Sequence, residues 1–390
     1  MSDETLVTIY RGPRSWVLEM LDGLETENMF DLAVAREARD RDDRMRAASG
    51  ASPDGDDDDL RPHHVVVESS DYASFAEHVM LNFAGLVRRV GPEHVHVHNP
   101  PTQVQEQLER SFPTTLQTYE YPRVDAAALV KLDSSFEDRI VGQGAVKDLL
   151  LAGLYPLTLP SRHRPIVLMF YGPSGVGKTE TATLVNDLLG GDLFRKQFSM
   201  FHSDKFASYL FGGMVSEPSL AHDLLDRESG VILIDEFDKA NPVFHSAFYQ
   251  LFESGTFEDK NYSVDVGPAL IICTSNYDSS AAVTEALGDA LASRFDAVIG
   301  FADLGQSHLL ELIRRIVADR LGKLQNSERL ALADVDLVSK LAPLSTERGN
   351  VRRLTSVVDQ FISIYLVRAL LARERQRAVD EKDDPLEEAS

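Results

Sequence analysis

Gly172-Pro173-Ser174-Gly175-Val176-Gly177-Lys178-Thr179 is a loop built for phosphate. The eight residues fit G-x-x-x-x-G-K-[ST], in which glycines let the backbone turn its N–H groups toward a polyphosphate and the following helix adds a favourable dipole. The apolar run Ile166 to Tyr171 reads as a strand entering the loop, and a stretch rich in Thr, Leu and Val reads as a helix leaving it. Lys178 is placed to reach β- and γ-phosphates, and the Thr179 hydroxyl to hold magnesium. A chance glycine-rich turn is the alternative, and the strand–loop–helix context counts against it.

Outward from this loop, strands are expected at Leu193 to Ser199, Val231 to Asp235, Ala269 to Thr274 and Ala297 to Phe301. Several are unbroken aliphatic runs, as in parallel strands covered by helices on both faces. Two acids, Asp235 and Glu236, follow the strand at Val231. Adjacent strand residues face opposite ways, so each acid is given its own task. Asp235 supports the magnesium shell, and Glu236 acts as base or positioner for the attacking water. A solvent-facing acidic strand end is the plainer reading of such a pair taken alone. Beyond Gln306 the signals are helical only: Ser307 to Leu324, Asp334 to Leu341 and Val351 to Arg375.

The run Asp235 to Asp259, DEFDKANPVFHSAFYQLFESGTFED, followed by ALIICTSN (Ala269 to Asn276), resembles the Clp-type AAA+ ATPases, especially their C-terminal ATPase ring. GPSGVGKTETA (Gly172 to Ala182) is similar to the same family's phosphate loop. The resemblance covers roughly Asp133 to Arg375. It implies an α/β AAA+ P-loop fold, with a parallel five-stranded sheet over 133–302 and a helical lid over 303–376. It also implies ATP and magnesium as cofactors, with hydrolysis as the activity. Asn276 corresponds to the family's γ-phosphate sensor, Arg352 to the second sensor on the lid, and Ile140 and Val141 to the segment packed on adenine. Arg294 corresponds to the arginine finger that reaches the ATP of a neighbouring subunit, which implies a homo-oligomer, most simply a hexameric ring. Taken singly, an Asn after a strand is an ordinary turn former and an Arg on a helix an ordinary solvated residue.

One departure from the family concerns the loop that grips polypeptide in threading members. Here Tyr209-Leu-Phe-Gly-Gly-Met-Val-Ser-Glu-Pro218 is shorter and lacks an aromatic–hydrophobic–Gly grip. Phe211 and Met214 are candidates to replace that grip, and core residues at helix ends is the reading taken. Ile299-Gly300-Phe301 looks like a protease-docking tripeptide but falls where the fifth strand belongs.

The first 120 residues lie outside the resemblance. Leu6 to Tyr10 reads as a strand and Ser15 to Arg36 as a helix, making a 1–36 segment. Residues 37–62, with the run Asp56 to Asp59, read as an acidic disordered linker, and 377–390 as a disordered acidic tail. Between them, 63–122 reads as a small α/β domain with a partly parallel sheet: strands at His64 to Glu68, His94 to His98 and Leu116 to Tyr121, helices at Tyr72 to Val90 and Thr102 to Ser111. His94, His96 and His98 alternate and share a strand face. Three imidazoles so placed suit zinc, yet no cysteine accompanies them, and an exposed or interface strand is the reading taken. Trp16 reads as satellite core.

The 390 residues carry a net charge of −23. Residues 1 to 130 hold 24 acids against 12 arginines and no lysine, so the acidity is not confined to one tail. Such a surface repels a phosphate backbone and disfavours nucleic acid as the main partner. The lone Cys273, the acidic N-terminus and the lack of an uninterrupted apolar run of membrane-spanning length point to a cytoplasmic setting with no membrane. A protein substrate to be remodelled is the expected partner. An effector recruited by a nucleotide-controlled switch or scaffold is the alternative, and a nucleic-acid motor or loader the least supported reading.

Overall fold

The computed structural model describes residues 4–48, 61–200, 204–346 and 351–383. Two five-stranded parallel sheets organise them. The first uses β1 (Leu6–Arg11), β2 (Glu27–Asn28), β3 (His64–Val67), β4 (His94–His98) and β5 (Thr114–Thr118), in the order β2-β3-β4-β1-β5. Strand periodicity separates its faces. Val7, Ile9, Val65, Val67, Val95 and Val97 point to one side, where they pack on Met29 and the helices Phe83–Val90 and Thr102–Ser111. The other side carries Thr8, Tyr10 and the histidines of β4, beneath the short helix Arg14–Met20. There Tyr10, Val17 and Leu21 form a small second core with Trp16 packed against it.

The second sheet uses β6 (Ile166–Tyr171), β7 (Phe194–Gln197), β8 (Val231–Asp235), β11 (Leu270–Thr274) and β12 (Ala297–Gly300), in the order β12-β6-β11-β8-β7. Between β8 and β11 lies an antiparallel hairpin, β9 (Thr256–Glu258) and β10 (Ser263–Asp265), which periodicity did not reveal. Val167 and Met169 enter one core while Ile166, Leu168 and Phe170 enter the other. Burial on both faces is why this strand is apolar at every position. Helices Gln306–Lys323, Asn326–Leu332, Leu337–Leu341 and Val351–Asp383 close a separate lid core around Ile313, Leu337 and Val358.

Helix Val351–Gln376 is, among the described residues, the one long and apolar enough to cross a membrane by length and composition. Leu354, Val358 and Ile362 nevertheless pack into the lid core, and Asp359 in its middle accepts a 2.6 Å bond from Arg320 Nε. The helix is the spine of the lid.

The N-terminal domain is docked on the larger one. Val215 packs against the N-terminal core. The Thr102 amide donates to the Asn261 carbonyl (2.8 Å), and the Arg14 amide to Asp226 Oδ1 (2.9 Å). The buried Arg227 guanidinium lies 3.7 Å from the Tyr121 ring centroid.

Several expectations are corrected. The helix expected over Ser15 to Arg36 is two helices, Arg14–Met20 and Met29–Ala48, parted by a turn and β2. The second continues through 37–48, part of the expected linker, because Ala, Arg, Glu and Met there favour helix while Met29, Leu32 and Ala33 anchor its start on the core. Residues 49–60 lie outside the described residues. The expected disordered tail is helical as far as Asp383, and 384–390 lie outside the described residues. Tyr72 to Val90 breaks into three short pieces, and β5 begins two residues before the expected strand. Helices Asn326–Leu332 and Leu337–Leu341 replace the single one expected at Asp334 to Leu341. The small sheet is wholly parallel rather than partly so.

Candidate active site

The phosphate loop leaves β6 and enters helix Lys178–Leu189. Gly172 has φ +131°, and a Cβ on it would lie 2.3 Å from the Phe301 carbonyl oxygen, so only glycine lets the loop cross β12 here. The loop, both acids, Asn276, Ile140, Val141 and the lid residue Arg352 line one cavity of about 480 Å³. Gly172 and Pro173 sit at its back, their carbonyls each accepting a 2.6 Å bond from Lys178 Nζ.

Lys178 is 7% exposed, and burial pushes its ammonium down to about 8, against the pull of Asp235. Its Nζ also donates to Asn276 Oδ1 (3.3 Å), which joins the end of β11 to the loop. Asp235 ends β8, buried, and accepts from Thr274 Oγ1 and Arg195 Nη2, both at 2.5 Å. The Thr179 hydroxyl is 3.4 Å from both its oxygens. A hydroxyl and a carboxylate side by side are the hard oxygen donors that magnesium takes, so these residues fit the ion.

Glu236 breaks the strand rule. Its backbone is left-handed (φ 56°, ψ 45°), a conformation that costs a non-glycine residue of order 1 kcal/mol. That kink turns its carboxylate into the same cavity as Asp235 instead of the opposite face. The amide donates to Thr274 Oγ1 (2.9 Å), and Gln197 Nε2 donates to Glu236 Oε2 (3.0 Å). Bonds from Ser199 and Gln197 hold its pKa below the usual carboxylate range, so it is an ionised acceptor at neutral pH.

The lid reaches the site directly: the Val351 amide donates to the Gly175 carbonyl (3.2 Å), which places Arg352 over the loop. Gln143 ties the same region from below, donating to the Ala302 carbonyl (2.8 Å) and accepting from its amide (3.1 Å).

Arg294 is not in this cavity. Its guanidinium lies 4.8 Å over the Tyr249 ring and pairs with Glu253 (3.0 Å). Phe211 and Met214, expected as core, are exposed (46% and 68%), because the helix Asp204–Phe211 buries Tyr209 and Leu210 instead and ends there. Ile299 is buried in β12, as expected of a strand. Sequence reasoning missed Arg195, Gln197 and Thr274, which hold the two acids. It also missed Leu304 and Leu312, which wall the cavity from the lid. Arg195 sits in the expected strand, but nothing in its spacing reveals that β7 lies beside β8.

A glycine-rich loop leaving a buried parallel strand, facing an Asp–Glu pair two strands away, with Asn276 just past the end of the strand between and a helical lid above, defines a P-loop nucleoside-triphosphate module. Residues 163–315 match the model of the AAA domain (Cdc48 subfamily). The chain is 32% identical over 276 residues to the chaperone protein ClpB of Chlamydia caviae, covering 62% of this chain and 29% of that protein. It is 28% identical over 281 residues to a ClpA homolog protein of Fuscovulum blasticum, covering 63% and 35%. Among solved structures, Hsp104 of S. cerevisiae in a casein complex superimposes with TM-score 0.55 at 19% identity, over 64% of this chain and 49% of that one, a likeness of fold. Residues 163–315 thus form an AAA domain similar to those of Clp proteins, and the chain spans about a third of the length of the curated relatives it matches.

Proposed function

We propose that this chain binds ATP with magnesium in the 480 Å³ cavity and hydrolyses it, as a subunit of a cytoplasmic ring, most simply a hexamer, that remodels a protein partner. One observation carries the reading: Lys178, Thr179, Asp235, Glu236, Asn276 and Arg352, from four separate places in the chain, converge on one cavity. Lys178 and the loop amides take the phosphates, while Asn276 and Arg352 address their far end. Magnesium held by Thr179 and Asp235 supplies charge neutralisation to the phosphates. Glu236, ionised and fixed by Gln197, orients the attacking water and accepts its proton. Arg294 faces away from its own cavity, which fits a guanidinium supplied to a neighbour's site.

A switch or scaffold is the second reading, and a specific observation favours it. The segment that grips polypeptide in threading relatives is tied down here: Lys260 N donates to the Phe211 carbonyl (3.0 Å), Asn261 Nδ2 to the Gly213 carbonyl (3.2 Å), and Val215 packs on the N-terminal core. Phosphate release by purified protein tests the shared chemistry. Wild type turns ATP over only with magnesium present, and Glu236→Gln retains nucleotide while turnover falls about 100- to 10,000-fold. A protein that releases no phosphate in any assembly state overturns the proposal. Phe211→Ala separates the two readings: loss of partner-stimulated turnover supports remodelling, and unchanged function supports the switch.

A further inference from the structure

The N-terminal sheet brings together imidazoles that lie apart in sequence. His64 opens β3 and is the register partner of His94, which opens β4, while His96 follows two residues on along the same face. His64 Nδ1 lies 3.1 Å from His96 Nε2, and one nitrogen from each ring falls within 4.8 Å of the other two. His98, on the same strand face, is not part of the group: its Nε2 bonds the Gly12 carbonyl (2.8 Å). We propose that His64, His94 and His96 form a three-imidazole site for a divalent transition metal of the zinc type.

The chemistry of the donors selects that class. Imidazole nitrogens suit zinc, copper, nickel and cobalt, whereas magnesium and calcium want oxygen. Zinc–nitrogen bonds of about 2.0–2.1 Å in a tetrahedron set neighbouring nitrogens about 3.4 Å apart. The His64–His96 separation is already close to that. The widest separation closes by rotation of His64 and His94, both half-buried, against the buried His96.

The hydroxyls behind the ligands match what such sites use. Tyr10 OH lies 3.2 Å from His96 Nδ1, and Thr8 Oγ1 lies 2.8 Å from His94 Nε2. Partners of this kind fix ring orientation and tautomer in metal-ligating histidines. Burial, with neighbouring imidazoles adding to it, lowers the pKa of His94 and pushes that of His96 down to about 4, so both keep a free lone pair at neutral pH. Water would be the fourth ligand, on the side where His64 and His94 are partly exposed. Stacking of His94 on His96, with ring centroids 4.3 Å apart, is the competing account, a polar patch that binds nothing.

The test uses the full-length chain, stripped with chelator and then held in excess magnesium so that the Thr179–Asp235 site is competed. Cobalt(II) is titrated in, followed by visible absorption, and then displaced with zinc. The expected result is one cobalt per chain with the intense absorption of a four-coordinate ion. It is unchanged in Lys178→Ala and in His63→Ala, whose imidazole lies outside the cluster. It is lost in His64→Ala, a half-exposed position at which circular dichroism checks the fold, and in His96→Ala. Tyr10→Phe weakens it about 10- to 100-fold. Cobalt binding that survives His64→Ala, that disappears in Lys178→Ala, or that never saturates with magnesium present overturns the proposal.

Discussion

The chain contains two parallel sheets of five strands, and they put the carboxyl ends of their strands to opposite uses. In open parallel sheets that edge is where ligands bind. In the larger sheet β6 runs into the glycine loop, the helix behind it begins at Lys178, and the edge stays open as a cavity of about 480 Å³. In the smaller sheet β1 runs into Gly12, and the edge is filled. Gly12 N donates to Asn99 Oδ1 (3.1 Å), Asn99 Nδ2 donates back to the Gly12 carbonyl (2.9 Å), and a Cβ on Gly12 would lie 3.0 Å from Trp16. Asp226 and Glu228 of the ATPase module then close over it through the Arg14 amide (2.9 Å) and the Ser15 hydroxyl (2.5 Å). A parallel sheet specifies where a site can be. Whether one exists depends on what the loops leave empty.

The contrast is broken most directly at Lys178. Lys178→Ala should cut ATP turnover by at least about 100- to 1,000-fold, read as phosphate release, while leaving thermal unfolding of the N-terminal domain where it was. Comparable turnover in the variant would place the chemistry elsewhere.

A second change should do the reverse. Arg227 is 3% exposed, donates to the Leu224 (2.5 Å) and Val266 (3.1 Å) carbonyls, and stacks on Tyr121. Arg227→Ala should destabilise the docked arrangement by about 2–4 kcal/mol in denaturant unfolding, with nucleotide affinity within about two-fold of wild type. A variant whose stability is unmoved would show that the junction is not held there.

The smallest effect sharpens the picture of the open edge. On the proposed function Lys178 binds phosphate as an ammonium, and its pKa is lowered to about 8. Below that pH the group is charged and affinity should be flat. Above it, binding must first add a proton, so affinity should fall by up to about tenfold per pH unit. Calorimetry between pH 7 and 9.5 reads this, and a flat profile would remove Lys178 as the phosphate cation.

Much of the larger sheet was legible because its constraints are local. A strand buried on both faces is apolar throughout, and a loop that turns on glycine before Lys-Thr leaves few readings. Glu236 was found but its geometry was not, since a left-handed residue after a strand leaves no mark in hydrophobic pattern. Arg195 and Thr274 were missed because their value comes from lateral strand order. The same limit hid His64. Thirty residues and a helical crossover separate it from His94, and only the parallel register makes them neighbours. Val215 lay in a loop whose sequence was seen to be unusual, but its contact with the N-terminal core belongs to tertiary packing alone.

The amide bond from Val351 to Gly175 has a mechanical reading. Val351 is the first residue of a 33-residue helix, roughly 50 Å of stiff rod at about 1.5 Å per residue. Its root is thus pinned to the glycine-rich loop proposed to hold phosphate. A tilt of about 5° there would sweep the far end through about 4 Å. The rod is a lever whose root lies at the proposed nucleotide site.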